Sequence, residues 1–275
     1  MTDTLLARLN EVTIVLYAFT VLFYFIDFLQ HNRKAGKAAF WLLSIVWILQ
    51  TVYLFYFMQY TDQFPVLNNA QGLYFYAWVL VTLSLVLTKL LKVDFLVFFT
   101  NLIGFSMAAI HTFTPTAQQS AELSGRLVSE LLIIHITMAI LSYGAFSLSF
   151  VFSVLYLFQY RLLKKKKWGK WLLRIEDLSK LDHMAYVLNL IGVPMLLLSL
   201  ILGIIWSYVS LETLYWADPK VLGSIVLLFF IRILFIYQDC QRAAGKDRGH
   251  VECRVFSCSF NQFLFARQLF AVSLV

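Results

Sequence analysis

Seven apolar stretches, each about as long as a helix must be to cross hydrocarbon, follow one another through this chain and restrict its fold more than any other feature. They run near 12–29, 39–59, 73–88, 95–113, 131–160, 184–209 and 220–238. A helix rising about 1.5 Å per residue needs roughly 20 such residues to traverse a core of about 30 Å. An eighth stretch, 259–275, is interrupted by Gln262, Arg267 and Gln268. Lipid offers no partner to an exposed peptide group, so only helices or a closed barrel can cross it. The stretches are too long for tilted barrel strands and show no sustained alternation. The predicted fold is therefore all-α: a polytopic integral membrane protein of seven or eight transmembrane helices, one domain over 1–275. The low charged fraction, 13% against 61% hydrophobic, excludes an ordinary soluble domain, in which about a quarter of residues are charged. The N-terminal tail carries Asp3, Arg8 and Glu11 rather than a basic block, and no small-residue cleavage site follows. The first span is predicted to remain as a helix.

Lysine and arginine mark cytoplasmic loops. The segments after spans 1, 3, 5 and 7 hold sixteen of them, from Arg33 to Arg248, whereas the N-terminal tail and the loops after spans 2, 4 and 6 hold three: Arg8, Arg126 and Lys220. This asymmetry predicts an N-terminus outside. It also reads the net charge of +7 as a topology signal rather than a nucleic-acid footprint, which would need exposed basic residues interleaved with aromatics.

With that orientation the fifth span, Leu131 to Tyr160, is about 45 Å of helix and exceeds the thickness of the core. Anchoring its inner end at Tyr160 and the basic run that follows puts the outer hydrocarbon edge near Leu141 and His135 about 9 Å beyond it. Counting outward from Phe95 places His111 near the outer end of the fourth span. Imidazole is a ligand for haem iron, so His135 and His111 are the candidate metal ligands. Each also has a plainer reading. His135 can be an interfacial histidine satisfied by a neighbouring hydroxyl or water, and the "HTFTPT" run at 111–116 can be the polar end of a helix. His31 and His183 fall on the inner side.

Three outward stretches share one pattern. Phe64, Pro65, Asn68 and Trp78 form the first; His135, Met138, Ser142 and Tyr143 the second; Leu181, Asp182, Gly203, Trp206, Asp218, Pro219 and Lys220 the third. Taken in order over roughly 60–240, they resemble the cytochrome c assembly family of haem-handling membrane proteins, CcsA type. The resemblance implies haem as cofactor, carried on the outer face between external histidines and a tryptophan platform. His135 corresponds to the first of those ligands, and Trp206, Trp216 and Asp218 to the cofactor-binding loop. That loop is thinned here: Leu211, Tyr215 and Ala217 stand where the family is rich in tryptophan, Val221 replaces an acid, and Ile236 and Tyr237 stand where a later histidine would fall. Size, span count and loop most resemble those of a short branch of the family encoded with haem-biosynthesis genes in Bacillus-type bacteria. This branch implies a bacterial cell membrane, no enzymatic activity and a negative effect on the abundance of glutamyl-tRNA reductase. The alternative is haem delivery in cytochrome c maturation, with a cytochrome-assembly protein as partner.

Enzyme signatures are missing: no G-x-S-x-G, H-E-x-x-H or glycine-rich phosphate loop occurs. A transporter would show internal repeats or broken glycine-rich helices, and neither is visible. Arg232 inside span 7 is either a functional residue or a snorkelling one. The run 164–182 repeats Trp171, Leu172, Ile175, Leu178 and Leu181 beside Arg174, Asp177 and Lys180, the pattern of a helix lying in the membrane surface. It can anchor to anionic lipid or dock a soluble haem-pathway enzyme.

The segment 247–275 is out of character. The first 239 residues hold no cysteine, whereas Cys240, Cys253 and Cys258 crowd the last 36, at a spacing that is not C-x-x-C. Gly249–Cys253 can be encoded GGA CAT GTG GAA TGC, which one base later reads Asp-Met-Trp-Asn. Gln268–Ser273 can be encoded so that the same shift reads Asn-Tyr-Ser-Leu-Phe and then, with a following T, His. A shifted reading frame is therefore expected in this tail. Resequencing the gene should reveal it, and an intact mass matching the tail as written would contradict it.

Overall fold

The structure, a computed structural model, describes residues 2–30, 33–61, 64–66, 69–90, 94–113, 130–164 and 177–211, and beyond them only Leu222, Gly223, Val226 and Phe229. Six helices fill these ranges: α1 (Thr2–Gln30), α2 (Arg33–Thr61), α3 (Asn69–Leu90), α4 (Asp94–Phe113), α5 (Glu130–Lys164) and α6 (Leu178–Leu211). Each is long and apolar enough to cross a membrane. No strand occurs among the described residues. The chain is an all-helical, multi-pass membrane protein, and its six helices coincide with the first six apolar stretches. Of the seventh stretch only the four isolated residues are described; the eighth, Arg232 and the tail from 247 lie outside the described residues.

The chain divides into two compact units, Met1–Arg126 and Leu127–Val275. In the first, α1 touches α2 and α4, and α3 touches the same two, which closes a four-helix bundle. Its interior carries polar side chains among the apolar ones. The buried positions of α1 are Thr13, Tyr17, Thr20, Tyr24 and Asp27, whereas Val12, Val15, Phe19, Leu22, Phe25 and Leu29 are exposed. A surface helix in water shows the reverse. Lipid tails are as apolar as leucine, so apolar side chains gain nothing by leaving them, while hydroxyls gain partners. Thr13 and Thr20 donate to the carbonyls of Leu9 and Leu16. The Tyr17 hydroxyl donates to Asn101 Oδ1 at 3.2 Å, and Asn101 Nδ2 donates to Ser84 Oγ at 2.7 Å. Gly104 makes the first of these contacts feasible, because the Tyr17 hydroxyl occupies the place where a Cβ would sit.

Between α2 and α3 two tryptophans make reciprocal bonds. Trp47 Nε1 donates to Thr82 Oγ1 and Trp78 Nε1 to Thr51 Oγ1, both at 2.9 Å. Each threonine in turn donates to a carbonyl of its own helix four residues earlier: Thr82 to Trp78 and Thr51 to Trp47. Trp78, one of the motif residues, thus ties the bundle together. Ahead of α3, Phe64 and Pro65 form a tight turn closed by Val66 N–H donating to the Phe64 carbonyl at 2.8 Å.

The second unit is built on α5 packed against α6. Their interface follows an antiparallel register of seven residues. His135 meets Ser199, Ser142 Oγ donates to the Gly192 carbonyl at 2.8 Å, and Ser149 Oγ donates to the Ala185 carbonyl at 3.1 Å. A step of seven residues on one helix is answered by seven on the other, the repeat of a left-handed helix pair. Small residues permit the close approach that such bonds require. At Gly192 a Cβ would lie 2.7 Å from Phe146 Cε1, and that ring is itself buried.

The start of α6 modifies the expectation for 164–182. Lys180 and Leu181 donate their backbone N–H groups to the Asp177 carbonyl, so Leu178, Lys180 and Leu181 belong to the first turn of α6, with Leu181 buried. Lys164 ends α5, and 165–176 lie outside the described residues. The separate surface helix of the sequence reading therefore cannot extend past Asp177: a local backbone cap and the burial of Leu181 join its last turn to the span.

Replacing Gly192 by alanine is expected to lower the melting temperature of the protein in detergent, by an overpacking cost of about 1–3 kcal/mol. The same replacement at Gly72, where a Cβ would meet only the Val66 carbonyl at 3.9 Å, should leave it unchanged or raise it, since alanine favours helix.

Candidate functional site

The sequence places His135 in the second turn of α5, which begins at Glu130. Its ring is half-buried and rests on α6 above Gly203: a Cβ at that glycine would come within 2.6 Å of His135 Cε1, 2.9 Å of Nδ1 and 3.1 Å of Nε2. Only glycine leaves room for the imidazole here. Nδ1 lies 2.5 Å from the Ser199 carbonyl oxygen and 3.1 Å from Ser199 Oγ. Ser199 Oγ donates its one proton to the His135 carbonyl at 2.9 Å, so it faces the ring as an acceptor. A carbonyl oxygen and a hydroxyl lone pair both directed at Nδ1 require a proton on that nitrogen. With Nδ1 protonated, a neutral ring carries its lone pair on Nε2.

This is how proteins orient a histidine that binds a metal: the nitrogen opposite the metal donates to a carbonyl, which fixes ring and tautomer. It is also the plainer role anticipated for His135, a histidine satisfied by a neighbouring hydroxyl. The two are compatible because they use different nitrogens.

Trp206 shares the face of α6 with Ser199 and Gly203, at steps of four and three residues. Its indole Nε1 is buried with no hydrogen-bond partner among the described residues. Buried donors are nearly always satisfied, so this orphaned N–H suits an acceptor brought by a ligand. Imidazole nitrogen, aromatic surface and orphaned donor form a set into which haem fits chemically. Trp216 and Asp218 lie outside the described residues. Met138 and Tyr143 lie on α5, and Ser142 serves the helix interface rather than the ring.

His111 belongs to the first unit. It lies in the last turn of α4, buried against Tyr74 at a ring-centroid distance of 4.9 Å and Tyr53 at 6.2 Å. The two histidines are thus held by different units. Among the described residues no cluster of three or more histidine, cysteine or acidic side chains could hold a bare metal ion.

The profile of the family described as Cytochrome C assembly protein matches residues 66–270. The chain belongs to that family. Within the cytochrome c assembly family it is 81% identical over 237 residues to Protein HemX of Bacillus subtilis (strain 168), covering 86% of each chain. It is 46% identical over 228 residues to Protein HemX of Brevibacillus brevis, covering 83% of each. The cytochrome c biogenesis protein CcsA of Mesostigma viride is 28% identical over 183 residues, 58% of this chain and 60% of that one. No solved structure matches. The resemblance read from three spaced motifs is thereby shown, and two of its residues acquire physical roles in this family member: Gly203 as the bed of the imidazole and Trp78 as an interhelical tie.

Ser199 and its carbonyl were missed by sequence reasoning. Their signal was the seven-residue spacing of Ala185, Gly192 and Ser199 against Ser149, Ser142 and His135. Gly203→Leu is expected to expel the imidazole and melt the protein at markedly lower temperature. Ser199→Ala keeps the carbonyl and loses one hydroxyl, a cost of about 0.5–1.5 kcal/mol. Comparing thermal unfolding of the two in the same detergent checks the ranking, and equal losses would contradict it.

Proposed function

We propose that this chain is a HemX-type effector of haem metabolism in the bacterial cell membrane, that it lowers the abundance of glutamyl-tRNA reductase, and that it binds haem through His135. The observation that carries the regulatory half is the identity of 81% to a HemX over 86% of both chains. Support for the haem half is the tautomer imposed by the Ser199 carbonyl, which presents Nε2 as a base, beside the orphaned indole N–H of Trp206. In this reading Trp216 and Asp218 complete the cofactor loop, the N-terminus and the haem face are outside, and lipid and a haem-pathway enzyme are the partners on the inner side.

Bound haem would supply an iron that accepts an imidazole nitrogen. The chain supplies the rest: Ser199 holds the ring, Gly203 lets it lie on α6, and Trp206 offers a donor and an aromatic wall. His111, the second iron ligand suggested by its position, lies against the rings of Tyr53 and Tyr74. A second reading, haem delivery in cytochrome c maturation, is favoured by the family match across 66–270 and the likeness to CcsA proteins.

Deleting the gene separates the readings. The regulatory reading predicts raised glutamyl-tRNA reductase with normal c-type cytochromes, whereas loss of c-type cytochromes would favour delivery. Purified protein is expected to show a Soret band that His135→Ala abolishes. A colourless wild-type protein under haem-replete growth would overturn haem binding.

A further inference from the structure

The first unit contains a group of buried polar atoms that the haem reading does not use. They lie at the end of the bundle where α1 and α3 begin and α2 and α4 finish. Tyr53, Tyr74 and His111 are in mutual ring contact, with Tyr53 and Tyr74 centroids 4.5 Å apart. Gln71 Oε1, Tyr74 OH, His111 Nδ1 and both amide atoms of Gln50 are buried without a hydrogen-bond partner among the described residues. Gln50 is fully buried, Tyr74 is 1% exposed, and Gln71 and His111 are 8% and 9% exposed.

An unmade hydrogen bond at a buried group costs about 1–3 kcal/mol. A primary amide with neither its donor nor its acceptor used is the most expensive of these. Gln50 shares the buried face of α2 with Tyr53, one turn further into the span, and Gln71 stands one turn from Tyr74 on α3. The orphaned atoms are therefore distributed over about 9 Å of depth. All lie in helices that can cross a membrane.

We propose that this group is a binding site for the headgroup of a membrane-borne quinone or quinol. Four features select that class. The side chains that make up the group carry no carboxylate, ammonium or guanidinium, and Arg8 and Glu11 on α1 pair with each other at the surface. It offers both donors and acceptors, namely the Gln50 amide nitrogen and Tyr74 hydroxyl on one side of the account and the two glutamine oxygens on the other. It spreads them along the membrane normal, as two oxygens on opposite edges of one ring demand. Tyr53, Tyr74 and His111 supply aromatic surface, which suits a flat ring. The site is independent of His135 and of the haem reading. It also lies partly in α1 and α2, ahead of the residues the family profile matches.

The test is titration of the intact protein in detergent with duroquinone, followed by quenching of tryptophan fluorescence. Trp78 packs against the Tyr53–Leu54–Tyr74 cluster and serves as the reporter. Saturable quenching is expected, with no displacement by durene, the same ring without oxygens. Gln50→Leu and His111→Phe should each weaken binding about tenfold, the value of one buried hydrogen bond, without lowering the melting temperature. Quenching that does not saturate, displacement by durene, or unchanged affinity in both variants would overturn the proposal. Should a variant fail to fold, the wild-type titration and Gln71→Leu decide it alone.

Discussion

A polar group inside lipid has no water to fall back on, so it must find its partner in the chain itself. That requirement organises the interior of both units. In α5 and α6 it sets the register: one imidazole and two serine hydroxyls, seven residues apart, each engage a carbonyl of the facing helix. In α1 it turns the helix inside out, with hydroxyls and one carboxylate buried and valine, leucine and phenylalanine left to the lipid. Apolar packing alone would specify neither arrangement, because lipid and leucine are equivalent neighbours.

The bonds that hold α5 to α6 also prepare His135. A side chain recruited to satisfy a helix carbonyl is by that act fixed in one tautomer, and the remaining nitrogen is a base. Gly203 adds the second half of the geometry by yielding its side-chain volume to the ring. The same contact thus serves the interface between α5 and α6 and, in the proposed function, the ligand.

Much of this was legible in the sequence, for physical reasons that can be named. Apolar length identified the six spans because a helix has a fixed rise and hydrocarbon a fixed thickness. Trp78, Ser142 and Gly203 could be singled out by motif, but not their mechanical roles, since a motif gives spacing on one helix and says nothing of the partner across the interface. Ser199 belonged to no motif. The polar stripe Thr13, Tyr17, Thr20, Tyr24, Asp27 was present as a regular alternation of four and three, yet averaging hydropathy over a span hides it. Gln50 and Gln71 were likewise submerged in apolar runs, and only burial without partners gives them meaning. His111 was correctly placed near a helix end, while its contacts with Tyr53 and Tyr74 depend on two other segments of chain. The junction at Asp177 was misjudged because amphipathic spacing does not reveal where a surface helix ends and a span begins.

The central claim is that α6 holds His135 as an oriented base. Nitrogen NMR of protein labelled at histidine, with the His135 signal identified by its loss in His135→Gln, reads the proton positions directly. The account predicts a neutral ring protonated at Nδ1 and bare at Nε2. A ring protonated at Nε2, or an imidazolium at neutral pH, would contradict it.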